Sequence, residues 1–198
     1  SNNSSDSIVN NLSPGNYTLT ISDQNSCETI ISGNITQPSP HQIQANFSNY
    51  NAYNISCFGE ADGEINIIGL GGTSPYQFEW NNGQYSGNTI QNLEAGSYDL
   101  VLTDSNNCQL DTSFTMTQPD SIQAIASMSQ FNGGWNVTCV DASDGAIDLT
   151  VSGGVPVFNY NWNNGAYNSE DINSLSEGAY TISITDNNNC TLLDTFEL

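Results

Sequence analysis

The chain has 198 residues, of which 21 are acidic and one is His, with no Lys or Arg, giving a formal charge of −21. About a quarter of residues are ordinarily charged, half of them basic, so the missing cations exclude nucleic-acid binding and disfavour anionic membrane surfaces. Charged residues make up only 11% and hydrophobic ones 36%, which predicts several small folded cores rather than a disordered polyacid.

Residues 1–37 read as the second half of a repeat. Ile8, Val9 and Leu12 lead to Gly15, and Tyr17 to Ser22 alternates as a strand does. Asp23 to Ser26 forms a turn, and Glu28 to Ile35 closes the hairpin. The other half is expected upstream of Ser1, in a longer protein. No signal peptide opens the chain, and no run is long enough to span a bilayer.

Thr36-Gln37-Pro38 recurs as Thr117-Gln118-Pro119, which sets the boundaries of two complete repeats at 38–118 and 119–198. Linkers this short predict a semi-rigid rod. In the first complete repeat, Ile43 to Phe47 and Tyr53 to Cys57 are predicted strands, and Phe58 to Gly63 is a turn. Glu64 to Ile68 alternates into Gly69–Gly72, Pro75 opens a strand to Trp80, and Asn81-Asn82-Gly83 signals a hairpin. Thr89, Ile90 and Leu93 precede Tyr98 to Thr103, and a last strand lies within Leu110 to Met116. The second repeat answers at an offset of 82 residues: Cys139 for Cys57, Gly145 for Gly63, Gly153-Gly154 for Gly71-Gly72, and Trp162 for Trp80. The stretch from Asn92 to Cys108 occurs three times, again at Asn11–Cys27 and Ser174–Cys190. No helix is predicted. About seven short strands per repeat predict an all-β chain of tandem immunoglobulin-like sandwiches.

The order Asp-Gly, alternating strand, Gly-Gly, Pro-Tyr, Trp-Asn-Asn-Gly, Leu-x-x-Gly-x-Tyr, strand, Asp-x-Asn-x-Cys resembles the SprB repeat. It also shares a Trp and Gly-x-Tyr skeleton with PKD-like domains. Val157 departs from the pattern, where Tyr76 fits it. The resemblance implies an extracellular repeat of a cell-surface adhesin of gliding Bacteroidetes. Such a protein is exported by the type IX route, and its partners would be neighbouring repeats, the outer-membrane gliding and secretion machinery, and a polysaccharide or other substratum.

Five cysteines at regular spacing suggest an oxidising location outside the cytoplasm. Cys57 to Cys108 and Cys139 to Cys190 are both 51 residues apart, so one bridge within each repeat is favoured, with Cys27 paired outside the chain. The rival scheme joins Cys27 to Cys57 and Cys108 to Cys139, leaving Cys190 for a following repeat. The 51-residue loop closed within a repeat is worth roughly 4 kcal/mol in the chain-entropy model. Calcium is the one cofactor the acidic turns could hold, at Glu60, Asp62 and Glu64 and at Asp141, Asp144 and Asp148, against the plainer reading that Asp-Gly makes the turns. Asp104 and Asp186 are expected to cap turns.

Trp80 with Tyr85, and Trp162 with Tyr167, would stack on a sugar only if exposed, and a Trp on such a strand usually lies in the core. Trp135, beside Gly133-Gly134, is the candidate exposed carbohydrate contact. Ser7 and Ser121 fit a short Asp-Ser-Ile acceptor pattern for O-glycans. No catalytic residues are expected, because His41 is the chain's single near-neutral base and has no repeated partner. The function expected is a structural stalk, with direct polysaccharide binding as the rival.

Overall fold

The structure is a computed structural model that describes residues 8–198. The candidate glycan acceptor Ser7 lies outside them. β1 (Gly15–Ser22) and β2 (Glu28–Ile35) form an antiparallel hairpin. The first repeat has seven strands: β3 (Gln42–Phe47), β4 (Gly63–Leu70), β5 (Gln77–Trp80), β6 (Tyr85–Ser86), β7 (Thr89–Leu93), β8 (Gly96–Thr103) and β9 (Gln109–Met116). They make two sheets, β3-β4-β7 and β6-β5-β8-β9. The second repeat has β10 (Gln123–Met128), β11 (Gly145–Ser152), β12 (Asn159–Trp162), β13 (Ile172–Leu175), β14 (Ala179–Thr185) and β15 (Thr191–Glu197), in sheets β10-β11-β13 and β12-β14-β15. Among the described residues every ladder is antiparallel and none joins one repeat to the other. The fold is all-β and immunoglobulin-like.

Alternation along the strands creates the cores, since successive side chains point to opposite faces. Ile65 and Ile67 of β4 face Leu100 of β8 across the sandwich, with Trp80 and Leu93 between the sheets. Ile147, Leu149, Trp162, Leu175 and Ile182 repeat this arrangement. Trp80 and Trp162 are fully buried, and their indole N–H groups donate to the carbonyls of Gly87 and Ser169 at 2.9 and 3.0 Å. The Leu-x-x-Gly-x-Tyr motif makes a tyrosine corner, in which the hydroxyl closes back on the chain four residues upstream. Tyr98 donates to the Glu94 carbonyl at 3.0 Å, Tyr180 to Ser176 at 2.9 Å and Tyr17 to Ser13 at 2.6 Å.

Two expectations change here. Tyr53 to Cys57 is a loop rather than a strand, because its backbone is drawn to the end of the last strand: Asn54 and Ile55 both donate their N–H to the Thr117 carbonyl. Val157 is not the counterpart of Tyr76. At the 82-residue offset Phe158 takes that place and packs on the core, while Val157 is exposed. The Asn-Asn-Gly turns do reverse the chain, with Asn81, Asn82 and Gly83 all at positive φ, as are Asn163, Asn164 and Gly165.

Each sandwich has two poles. The chain enters beside the Gly-Gly loop and the β8–β9 turn. Gly71 sits at φ +71° where a Cβ would collide with the Pro40 carbonyl, and Gly153 at φ +73° against the Ser121 carbonyl. Only glycine lets the linker lie that close. The chain leaves at the opposite pole, where β9 ends beside the Cys57 loop.

Candidate functional site

The features that distinguish this chain converge on the joint between the two repeats. On one side stands the exit pole of the first repeat with Cys57. On the other is the entry pole of the second, where Cys190 ends the β14–β15 turn. Cys57 and Cys190 form a disulfide with Cα atoms 5.6 Å apart, linking residues 133 positions apart in sequence. Cys27, Cys108 and Cys139 are free and exposed.

The joint thus replaces both pairings expected within repeats, Cys57–Cys108 and Cys139–Cys190, and the rival scheme as well. Cys57 lies beside the end of β9, with Gly59 N–H donating to the Gln118 side chain at 3.0 Å. Cys108 lies just before β9 begins at Gln109. Eight strand residues at about 3.4 Å each put the two thiols on the order of 25 Å apart, whereas a disulfide needs Cα atoms within about 7 Å. Cys139 and Cys190 are held apart by β15 in the same way.

A buried carboxylate builds the turn that presents Cys190. Asp186 Oδ1 accepts the N–H of Asn188 at 2.8 Å and of Cys190 at 2.9 Å, while Oδ2 accepts Val155 N–H at 2.8 Å. Asp104 does the same for Asn106, Cys108 and Thr73 at 2.8, 2.9 and 2.9 Å. Asp23 accepts from Asn25 and Cys27. The residue before each cysteine, Ser26, Asn107 or Asn189, is left-handed. Burial pushes the Asp104 carboxyl up. The backbone donors at Cys108, Thr73 and Asn106, with His41 at 3.4 Å, outweigh that and hold it below the ordinary carboxylate range.

The Cys57 loop is held by Asp62, whose Oδ1 accepts Ser56 N–H at 3.1 Å, and by Ser48, whose hydroxyl donates to the Asn54 carbonyl at 2.7 Å. Across the joint Asn188 donates its amide to the Ser56 carbonyl at 2.8 Å and accepts from the Asn51 amide. A cleft beside the bridge is lined by Phe58, Glu60, Pro119, Ser121 and Ile122. The second glycan candidate, Ser121, is therefore half-buried at the joint.

The acidic turn residues are not gathered. Among the described residues no three His, Cys, Asp or Glu side chains converge as a metal would require. Asp62 holds its own loop, and Glu64 accepts from the Gln91 amide at 2.6 Å. Hydrogen bonds from the Thr138 hydroxyl at 2.6 Å and its N–H at 3.1 Å hold the Asp144 carboxyl below the usual range. Glu60, Asp141 and Asp148 are exposed. Trp135 is 69% exposed, whereas Tyr53 at the equivalent place is half-buried. Among the described residues no helix is long and apolar enough to cross a membrane.

The model of the SprB repeat family matches residues 49–85 and 136–167. Each match runs from the cysteine loop of one repeat through its Trp-Asn-Asn-Gly hairpin. A search of curated proteins found no match. Among solved structures, the chain is similar to a C-terminal 282-residue fragment of intimin in complex with the intimin-binding domain of the translocated intimin receptor, at 12% identity and a TM-score of 0.34. That alignment covers 91% of this chain and 56% of the intimin chain.

Proposed function

We propose that this chain, with its two segments of SprB-repeat sequence, is part of the load-bearing stalk of a bacterial cell-surface adhesin, exported by the type IX route and serving attachment or gliding. Its repeats extend and display the adhesive part and carry tension to the cell. The observation that carries the reading is the covalent joint. Tension applied at the two ends enters the bridge at Cys57 and leaves it at Cys190, so the loop between them bears none. That loop spans 133 positions, roughly 460 Å of extended chain at about 3.5 Å per residue, which is withheld while the bridge is closed. The repeated aromatics support the same reading. Trp80, Trp162, Tyr98 and Tyr180 are all buried and Tyr85 and Tyr167 half-buried, so among the described residues no fully exposed aromatic recurs at the repeat spacing.

A second reading, in which the repeats grip polysaccharide directly, is favoured by one observation, the exposed Trp135 beside Gly133-Gly134. Binding of the oxidised chain to polysaccharides and to glass, with calcium and with chelator, separates the two. The stalk reading expects no saturable binding in either condition. Saturable binding lost in Trp135→Ala would make these repeats the adhesive, and binding lost on chelation would bring calcium into it.

A further inference from the structure

The Cys57–Cys190 joint has two half-copies left over in this chain. Cys139 stands 82 residues after Cys57, and Cys108 stands 82 before Cys190. Each is displayed by the same local structure as its bonded counterpart. Ser56 N–H bonds Asp62 Oδ1 at 3.1 Å, and Thr138 N–H bonds Asp144 Oδ1 at 3.1 Å. Glu60 N–H reaches the Cys57 carbonyl at 3.2 Å, and Ala142 N–H the Cys139 carbonyl at 3.0 Å. Ser48 and Ser129 each donate to an Asn carbonyl at 2.7 Å, Asn54 and Asn136 respectively. On the turn side, Asp104 and Asp186 hold Cys108 and Cys190 through matching bonds at 2.8 and 2.9 Å. The Asn two residues before the cysteine, which spans the joint as Asn188, is present as Asn106. Both leftover thiols are exposed.

We infer that Cys139 and Cys108 are the two halves of this same joint, each made for the facing pole of a further repeat: Cys139 for the turn cysteine of a repeat placed after it, Cys108 for the loop cysteine of one placed before it. One rule, loop cysteine of a repeat to turn cysteine of the next, then accounts for every cysteine in the chain. In forming such a bridge the two thiols lose two protons and two electrons, and the electrons reduce a disulfide oxidant to two thiols.

The rule changes the mechanics of an array, because successive loops interleave instead of lying end to end. The shortest covalent path through two repeats becomes the 31 residues from Cys108 to Cys139, roughly 110 Å when extended. Without bridges it is two spans of 82 residues, roughly 570 Å. Even an array with every sandwich unfolded would stretch only about a fifth as far. This goes beyond the stalk reading and fails separately from it, since it concerns which thiols join and not what the repeats bind.

The test appends a second copy of residues 117–198 directly after Leu198, which supplies a following repeat with its own linker. The lengthened chain is oxidised with glutathione disulfide, digested without reduction using pepsin, and mapped by mass spectrometry. The expected map has Cys57–Cys190 retained and Cys139 bonded to the added copy of Cys190. Cys139 left as a free thiol, or bonded anywhere else, would overturn the inference, as would a parent chain that does not join Cys57 to Cys190. A lengthened chain with every other cysteine changed to Ser guards against scrambling. There Cys139 and the copied Cys190 should close with loss of both free thiols in dilute solution, and two persistent thiols would contradict the rule.

Discussion

The hairpins β1–β2 and β8–β9 carry the same motif and form the same turn, yet their apolar faces have opposite fates. Leu19 and Ile21 are 54% and 48% exposed, whereas Leu100 and Leu102, their counterparts, are 1% and 0% exposed. The tyrosine corner and the Asp turn exist in both, Tyr17 with Asp23 and Tyr98 with Asp104. Corner and cysteine-bearing turn are therefore encoded within some seventeen residues, the length of the repeated stretch, and the ladder needs only the eight-residue strand that follows. Burial is not local. It requires the opposing sheet, which β3, β4 and β7 supply to the second hairpin and which the described residues do not supply to the first.

The comparison is sharpest at the leucines. Leu100→Ala should destabilise the first repeat by about 2–5 kcal/mol through transfer and cavity terms, and Leu19→Ala by under about 0.5 kcal/mol, read from urea unfolding of the oxidised chain. Equal losses would mean that the first hairpin is packed as the second is. Next come the turn carboxylates. Asp104→Ala strands the N–H groups of Thr73, Asn106 and Cys108 and should lower Tm by several degrees. Asp23→Ala, at an exposed turn, should lower it less.

Acid should act through the same buried turn carboxylate. The Asp104 carboxyl is held below its ordinary range in the folded state. Its contribution is thus fully present above the unfolded value of about 4, and is lost as pH falls through the lower folded value. Asp104→Asn should flatten that part of the stability profile, measured by denaturation between about pH 5 and 2. The smallest effect is at the corners. Tyr98→Phe should cost about 1 kcal/mol for its lost hydrogen bond, and Tyr17→Phe less, because water replaces the partner at an exposed site. Amide hydrogen exchange at Glu94–Gly96 and Ser13–Gly15 would read both.

Much of this was legible in the sequence. The 82-residue period, the Gly-Gly and Asn-Asn-Gly turns and the burial of Trp80 and Trp162 follow from alternation and turn chemistry. The disulfide was not, and the reason is countable. Equal spacings of 51 residues suit a bridge within each repeat only if both thiols share a pole. β4 through β8 make five passes along the sandwich between Cys57 and Cys108, an odd number, which leaves the thiols at opposite ends. The two-residue β6, answered in the second repeat only by the Trp162–Tyr167 bridge, hides this, since without it the interval counts four passes, an even number. The spread of the acidic turns was equally hidden, because sequence shows that Asp62 and Asp144 sit beside glycine but not that each carboxylate already serves its own loop.

In the proposed stalk, tension passes through the joint rather than through the folded loops. Single chains held at residues 1 and 198 and stretched under oxidising conditions should show no lengthening from the loop between Cys57 and Cys190. Adding a reductant under load should then release up to roughly 460 Å as the sandwiches open, the reach of 133 residues at about 3.5 Å each. The same full extension before and after reduction would contradict the account, because the load would be running through both repeats with no bridge across the joint.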